Sequence, residues 1–153
     1  YGELTGYGAT SDGSDMVSPS GEGAYRCMEM ALKMSGNNNI DYINAHGTST
    51  PVGDIIEVES ICKIFEDKIP FISSTKSLTG HSLGAAGVQE SIFSLIMLNE
   101  GFLTASVNIE NLDKEAQDVP ILLKNKEISV GRVLSNSFGF GGTNVSLIFD
   151  NYK

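Results

Sequence analysis

The sequence predicts an α/β fold with a mixed five-stranded sheet and helices on its faces. Strand-like and helical segments alternate along the chain, which is typical of α/β proteins. Two further strands close the chain and are joined by a glycine-rich turn, which predicts an antiparallel pair. The length of 153 residues allows one domain or part of one.

The first helices follow from local patterns. A strand-like start leads into a polar loop at Thr10–Ser20, and apolar residues at helical spacing predict a helix over Gly21–Ser35. Gly36 would end this helix. A second helix is predicted to start at Thr50 and Pro51, because threonine before proline is typical of a helix N-terminus.

The remaining elements are four strands and one apolar helix. The strands are predicted at Ile40–Ala45, Phe71–Ser74, Arg132–Ser137 and Asn144–Phe149. The helix at Gly84–Gly101 is apolar almost all round and should therefore be buried. Its apolar stretch contains Gln89 and Glu90, so we do not expect it to span a bilayer.

Composition excludes several classes of function. The net charge is −9, from 10 basic and 19 acidic residues, which disfavours binding to nucleic acid and to anionic membrane surfaces. Cys27 and Cys62 lie within helical patterns and are interpreted as thiols of a reducing compartment, so a cytoplasmic location is expected. The chain begins at Tyr1, without methionine, and is interpreted as a piece of a longer polypeptide.

The only two histidines, His46 and His81, each follow a predicted strand. In α/β sheets, sites lie beyond the carboxyl ends of strands, where a neutral imidazole can donate an N–H to a developing oxyanion or enolate. A zinc site is disfavoured, because the histidines are far apart and no cysteine is near. Nucleotide binding is disfavoured, because the Gly6–Gly8 pattern lacks a third glycine and Lys76 lacks the glycines of a P-loop.

Glu90 lies inside the most apolar helix. A buried carboxylate must be paired, coordinated or protonated, so its partner would be a backbone donor, Lys76 or a cation. Lys76 is expected to form an ion pair with a carboxylate of the site such as Glu57. By pattern alone, the loop Gly139–Gly142 is either a plain hairpin or part of a site.

Three motifs resemble those of the β-ketoacyl-(acyl-carrier-protein) synthases, the condensing enzymes of the thiolase fold. They are H-G-T-S-T-P at His46–Pro51, K-S-L-T-G-H at Lys76–His81 and G-F-G-G-T-N at Gly139–Asn144, in the family's order. The run Gly80–Glu90 resembles the synthase I branch. The resemblance covers essentially the whole chain and implies the C-terminal half of a thiolase-like fold. The family's nucleophilic cysteine belongs to an N-terminal half that has no match here.

The resemblance implies a reaction in fatty acid elongation. Malonyl-acyl carrier protein would lose CO₂, and the enolate would attack an acyl-enzyme thioester. His46 and His81 would stabilise the enolate, and Lys76 and Glu57 match an ion pair that orients them. The backbone N–H of Phe140 would contribute to an oxyanion hole, and its ring would gate the acyl pocket.

Other matching positions concern binding. Thr48 and Thr50 would contact the pantetheine arm, and Phe138 and Gly139 would lie beside the substrate. No cofactor is implied except a structural Na⁺ or K⁺, and the matching residues are Asn44, Glu90, Ser135 and Asn136. The implied partners are acyl and malonyl forms of acyl carrier protein, the N-terminal half and a second copy in a homodimer, with neither nucleic acid nor membrane. The 153 residues alone are expected to be inactive.

Two alternatives within the same fold stay open. One is a non-catalytic partner subunit, which the retention of both histidines and Lys76 disfavours. The other is a ketosynthase domain of a polyketide synthase, which a chain ending at Asn151–Lys153 without a linker disfavours.

Overall fold

The computed structural model of the chain describes residues 1–66 and 68–152. The strands are β1 (Glu3–Ser11), β2 (Tyr42–Asn44), β3 (Phe71–Ser73), β4 (Phe102–Leu103), β5 (Lys126–Glu127), β6 (Arg132–Gly139) and β7 (Thr143–Asp150). The helices are α1 (Glu22–Ser35), α2 (Gly53–Phe65), α3 (Lys76–Thr79) and α4 (Ala86–Glu100). Short 3₁₀ turns lie at Leu83–Ala85, Lys114–Ala116 and Phe140–Gly142.

The main sheet has five strands in the order β1-β7-β6-β2-β3. β2 pairs in parallel with β3 and β6, whereas β7 pairs antiparallel with β6 and β1. The predicted mixed sheet and its antiparallel closing pair are therefore confirmed. A separate pair, β4 and β5, was not predicted, because two residues in each strand leave no pattern to detect.

Side-chain alternation along the strands separates two cores. On β2, Tyr42 packs with α4 on one face of the sheet, and Ile43 packs with α1 and α2 on the other. Val133 and Leu134 on β6 divide between the faces in the same way. Since successive strand residues point to opposite faces, the sheet is the middle layer between two helical layers.

The helix-start signal at Thr50 is correct, but the helix begins slightly later. The Gly53 N–H donates to Thr50 Oγ1 at 3.2 Å, and the Thr50 N–H donates to Asp54 Oδ1 at 3.2 Å. This reciprocal arrangement caps α2 from Thr50 even though helical geometry starts at Gly53. At the other predicted boundary, Gly36 ends α1 with a φ of 68°, which glycine adopts without steric cost.

The expectation that the apolar helix α4 is buried all round is wrong for this chain. Its inner stripe, including Glu90, is buried, but Val88, Ile92 and Ile96 are 65%, 50% and 41% exposed. Across the two described stretches, no helix combines the length and apolarity needed to cross a membrane. The outer side of α4 is thus an apolar face that no described residue covers.

Gly6 and Gly8 allow β1 and α1 to pack backbone against backbone. A Cβ atom at Gly8 would lie 2.0 Å from the carbonyl oxygen of Cys27, and one at Gly6 would lie 2.5 Å from that of Ala31. Distances this short are repulsive, so both positions require glycine. The pair of glycines that fails as a nucleotide motif is therefore a packing feature.

We predict that Gly8→Ala lowers the free energy of unfolding of the full-length protein by about 1 to 3 kcal/mol, because the added methyl group overpacks the contact between β1 and α1. Urea unfolding followed by circular dichroism measures this change. Gly131→Ala is the matched control, because its Cβ would meet Asp41 Oδ2 at an ordinary 3.6 Å. Equal destabilisation by both variants would contradict the packing role of Gly8.

Candidate active site

Three loops leave the carboxyl ends of the parallel strands at one edge of the sheet. The loop after β2 carries His46, the segment after β3 carries Lys76 and His81, and the turn after β6 carries Phe140. Because β2 lies between β3 and β6 in parallel register, these loops are neighbours. Both histidines therefore lie together at the carboxyl ends of the parallel strands, where the sequence predicted a site.

The two imidazoles meet edge to face. The ring centroids of His46 and His81 are 5.4 Å apart with an interplanar angle of 85°. The ring of Phe138, the third member of this cluster, lies 5.8 Å from that of His46. His46 is half-buried and His81 is exposed, so the cluster opens toward the surface at His81.

The backbone fixes the tautomer of His81. The Leu83 N–H donates to His81 Nδ1 at 3.3 Å, so the proton of the neutral ring is on Nε2. Leu83 has a φ of 53°, in the left-handed region that is strained for a leucine. The hydrogen bond from the Leu83 backbone to Nδ1 thus leaves Nε2 of His81 as an N–H donor.

Burial and nearby positive charge keep both imidazoles neutral. Burial, the Lys76 ammonium and the neighbouring His81 lower the pKa of His46 to about 3. Burial and Lys76 also lower the pKa of His81. Neutral imidazoles retain an N–H donor and bring no charge of their own, which suits stabilisation of an oxyanion.

Glu57 holds the backbone of the His46 loop. Its Oε1 accepts the His46 N–H at 2.9 Å and its Oε2 accepts the Gly47 N–H at 2.8 Å. Asn136 Nδ2 also donates to Oε1, at 3.1 Å. Burial raises the pKa of the Glu57 carboxyl, and the two backbone N–H groups and the Asn136 amide act in the opposite direction.

The expectation of an ion pair between Lys76 and Glu57 is wrong. The ammonium of Lys76 forms its ion pair with Glu90, and both side chains are buried. Of the partners considered for Glu90, Lys76 is the one found. Glu57 bonds to backbone N–H groups instead, because it lies on α2 beneath the His46 loop, whereas Glu90 projects from α4 toward Lys76.

The Asn44 side chain connects the elements that carry this ion pair. Its Oδ1 accepts the backbone N–H and the hydroxyl of Thr75, and its Nδ2 donates to the Glu90 carbonyl and to Ser94 Oγ, each at 3.3 Å. Asn44 is fully buried at the end of β2. It therefore ties the residue before Lys76 to the helical turn that carries Glu90.

The glycine-rich turn is both a tight hairpin and part of this edge. Gly141 and Gly142 have φ values of 74° and 78°, so the turn needs glycine at both positions. The Gly141 N–H donates to the Met16 carbonyl at 2.9 Å, which fastens the turn to the loop after β1. The Phe140 ring is 69% exposed at its tip, and Gly139 precedes it at the end of β6.

Thr48 and Thr50 form the outer part of the His46 loop. Their hydroxyl oxygens lie 3.4 Å apart, and Thr50 is exposed. Ser49 between them has a φ of 61°, a second strained position, three residues after a histidine. Both hydroxyls therefore lie on the loop that carries His46.

The four residues implied as cation ligands are all buried, but the Asn136 side chain lies on the opposite face of the sheet from Asn44, where it donates to Glu57. Asn44 and Ser135 are register partners on β2 and β6, Asn136 follows, and Glu90 contacts Asn44. Glu90 Oε2 is buried with no hydrogen-bond partner among the described residues. Burial raises the pKa of Glu90 to about 7 against the opposing effect of Lys76. Within residues 1–66 and 68–152, no three His, Cys, Asp or Glu side chains cluster as metal ligands.

Sequence reasoning missed three contributors. They are the Leu83 N–H that fixes His81, the Asn136 side chain that holds Glu57, and Ser146, whose hydroxyl donates to Asn136 Oδ1 at 2.7 Å. A backbone donor leaves no mark in a sequence. Ser146 has the alternation of an inward-facing strand residue, so a polar residue at that position was the only available signal.

Comparisons with known proteins identify the family and the fold of this chain. Residues 1–110 match the family model described as the β-ketoacyl synthase C-terminal domain. The whole chain is 57% identical to 3-oxoacyl-(acyl-carrier-protein) synthase 1 of Escherichia coli, of which it spans 37%. A β-ketoacyl synthase from Burkholderia phymatum is 35% identical with a TM-score of 0.94, over 99% of this chain and 38% of that one.

A polyketide ketosynthase is similar in structure as well. The structure, described as a type II polyketide acyl carrier protein in complex with its ketosynthase, has a TM-score of 0.93 and 28% identity, over 100% of this chain and 39% of that one. The fold is therefore that of the C-terminal part of thiolase-like ketosynthases, as predicted. The chain spans a little over a third of the length of these relatives.

We predict that the NMR signal of His46 does not titrate between about pH 5 and pH 8, because its lowered pKa keeps it neutral throughout. Full-length protein with ¹³C-labelled histidine would be titrated, and the His46 signal would be assigned by its loss in His46→Gln. Free histidine in the same tube provides the reference titration. A His46 midpoint near that of free histidine would contradict the electrostatic account.

Proposed function

Because the chain belongs to the β-ketoacyl synthase family, as its match to the C-terminal domain of that family shows, we propose that it is part of a condensing enzyme of fatty acid synthesis. The enzyme extends acyl chains by decarboxylative Claisen condensation of malonyl-acyl carrier protein with an acyl-enzyme thioester. The observation that carries this proposal is the adjacent pair of neutral imidazoles at the carboxyl ends of the parallel strands.

The histidine pair suits the decarboxylation step. The bond between the α-carbon and the carboxylate of the malonyl thioester breaks, CO₂ leaves, and the electron pair moves into an enolate. N–H groups of His46 and His81 donate to the thioester oxygen where this negative charge develops. The enolate carbon then forms a bond to the acyl carbonyl carbon and expels the cysteine thiolate, which gives a β-ketoacyl product.

Other residues take part in binding and orientation. The backbone N–H of Phe140 contributes to the oxyanion hole for the acyl thioester, and its exposed ring gates the acyl pocket. Phe138 and Gly139 line the substrate beside His46. The hydroxyls of Thr48 and Thr50, at the opening, bind the pantetheine arm.

The nucleophilic cysteine comes from the part of the enzyme outside these residues. Cys27 is fully buried, and burial raises the pKa of its thiol and that of Cys62, whereas a nucleophilic cysteine needs a lowered pKa. The N-terminal half that carries the nucleophile also covers the apolar face of α4. The complete enzyme is a homodimer in the cytoplasm, in keeping with two free thiols.

Acyl carrier protein is the proposed macromolecular partner. The ketosynthase in the complex described above binds an acyl carrier protein, which supports a partner of this kind. With a net charge of −9, this part of the enzyme would repel an acidic carrier, so the docking surface lies mainly on the N-terminal half. A ketosynthase of polyketide synthesis is the second candidate, because its structure is similar too, and the products made from malonyl-carrier protein distinguish the two.

A monovalent cation, Na⁺ or K⁺, is the only inorganic group proposed. Oxygen atoms of Asn44, Glu90, Ser135 and Asn136 would hold it, and the unpartnered Glu90 Oε2 fits that role. When bound, the cation supplies positive charge beside a buried carboxylate.

We expect His81→Ala in the full-length enzyme to lower malonyl decarboxylation by about 10² to 10³-fold, the order for losing one oxyanion donor. Acyl transfer to the cysteine should persist, because it precedes enolate formation. Release of ¹⁴CO₂ and intact-protein mass spectrometry follow the two steps separately. Undiminished CO₂ release would remove His81 from the proposed role.

The purified 153-residue chain should catalyse neither acyl loading nor decarboxylation, because it lacks an activated cysteine. Incubation with acyl-carrier protein and mass analysis of the chain tests this directly. The full-length protein in parallel is the control. A stable acyl adduct on Cys27 or Cys62 would mean that the nucleophile lies within these residues.

K⁺ should raise the unfolding temperature of the full-length enzyme relative to choline at equal ionic strength, because a ligand that binds only the folded state stabilises it. In Glu90→Gln the response should be reduced, since the neutral amide binds the cation less strongly. Differential scanning calorimetry measures both proteins. Equal unfolding temperatures in K⁺ and choline for the unaltered enzyme would argue against the cation.

A further inference from the structure

We propose that Ser146, on β7, is a positioning residue for His46. It acts through two buried side chains, Asn136 on β6 and Glu57 on α2. The inference rests on the proposed function, because it concerns the histidine that would stabilise the enolate. The hydrogen bonds that connect them run from the His46 loop through Glu57 and Asn136 to β7.

The first step is the dependence of the His46 loop on Glu57. Both carboxylate oxygens of Glu57 accept backbone N–H groups of the loop, at 2.9 Å from His46 and 2.8 Å from Gly47. Glu57 is only 4% exposed, so water does not substitute for either bond. A shift of the carboxylate would therefore shift the backbone from which the His46 ring projects.

The second step is the orientation of the Asn136 amide. Its Nδ2 donates to Glu57 Oε1 at 3.1 Å, and the side chain is fully buried. If the amide were reversed, its oxygen would face the carboxylate oxygen, and two acceptors would repel one another. Asn136 therefore adds to the hold on Glu57 only while it presents its nitrogen.

The third step is the hydroxyl of Ser146. Ser146 is the register partner of Asn136 across β6 and β7, and its Oγ donates to Asn136 Oδ1 at 2.7 Å. Ser146 is also fully buried, and the neighbouring Cys27 thiol is directed to the Gly8 carbonyl at 3.1 Å. In the described part of the chain, the Ser146 hydroxyl is the one donor recorded for Oδ1. Without it, a buried acceptor would be left unsatisfied and the amide would move.

The helix that carries Glu57 offers a matched comparison. Ser60, one turn further along α2, is also a buried serine, but among the described residues its hydroxyl donates only to the carbonyls of Ile56 and Gly21. Loss of that hydroxyl removes a buried hydrogen bond of similar kind without reaching the His46 loop. A merely structural role of Ser146 would make the two serines equivalent.

The test compares Ser146→Thr and Ser146→Val in the full-length enzyme, because these side chains have nearly equal volume and differ in the hydroxyl. We expect Ser146→Val to have a kcat for malonyl decarboxylation about tenfold below that of Ser146→Thr, the order for one buried hydrogen bond. KM for malonyl-carrier protein and the rate of acyl loading should match in the two variants, because the misplaced imidazole acts on the enolate. Ser60→Ala should decarboxylate at the unaltered rate.

Three results would overturn the inference. One is equal decarboxylation by the threonine and valine variants, and another is a loss in Ser60→Ala as large as in Ser146→Val. The third is a loss of loading and decarboxylation in the same proportion, which would indicate general damage to the fold. If the larger side chains prevent folding, Ser146→Ala against Ser60→Ala gives the same comparison. An unaltered enzyme that releases no CO₂ would instead contradict the proposed function, so the two failures are distinguishable.

Discussion

The requirement that every buried charge has a partner governs the geometry of this site. Beneath the two imidazoles lie two buried carboxylates and one buried ammonium, on Glu57, Glu90 and Lys76. Burial without a partner would cost several kcal/mol for each charge. One carboxylate therefore binds the ammonium, and the other binds backbone N–H groups of the His46 loop. The two histidine loops are thus each held from below by a different glutamate.

The separate roles of Glu57 and Glu90 also affect the pKa values of the imidazoles. Lys76 lies close enough to lower the pKa of both histidines, while its own charge is balanced by Glu90. Were Lys76 paired with Glu57, a carboxylate bound to the His46 backbone would gain a second role, and Glu90 would be left inside an apolar helix without a counter-charge. The observed pairing gives Lys76 a counter-charge through Glu90 Oε1 and leaves both carboxylate oxygens of Glu57 to the His46 loop.

The sequence predicted the elements whose signals are local and missed those that depend on tertiary contact. Strand alternation, the Thr50 cap and the glycine turn each lie within a few residues, and each was identified. The predicted ion pair between Lys76 and Glu57 was wrong, although Lys76 was among the partners considered for Glu90. Only the directions of α2 and α4 decide between the two glutamates. The histidines could be assigned to one edge, because parallel strands end together.

Part of α4 has polar residues buried and apolar residues exposed, and the candidate site explains why. An ordinary surface helix turns polar residues to solvent and apolar residues inward. In α4, Glu90 and Ser94 face inward, whereas Val88 and Ile92 are at least half exposed. The inward residues satisfy Lys76 and Asn44, so polarity is required there. Exposed valine and isoleucine side chains form no hydrogen bonds with water. A group of them on one surface is typical of a surface that packs against protein. The same helix therefore supports the candidate site on one side and has an uncovered apolar face on the other.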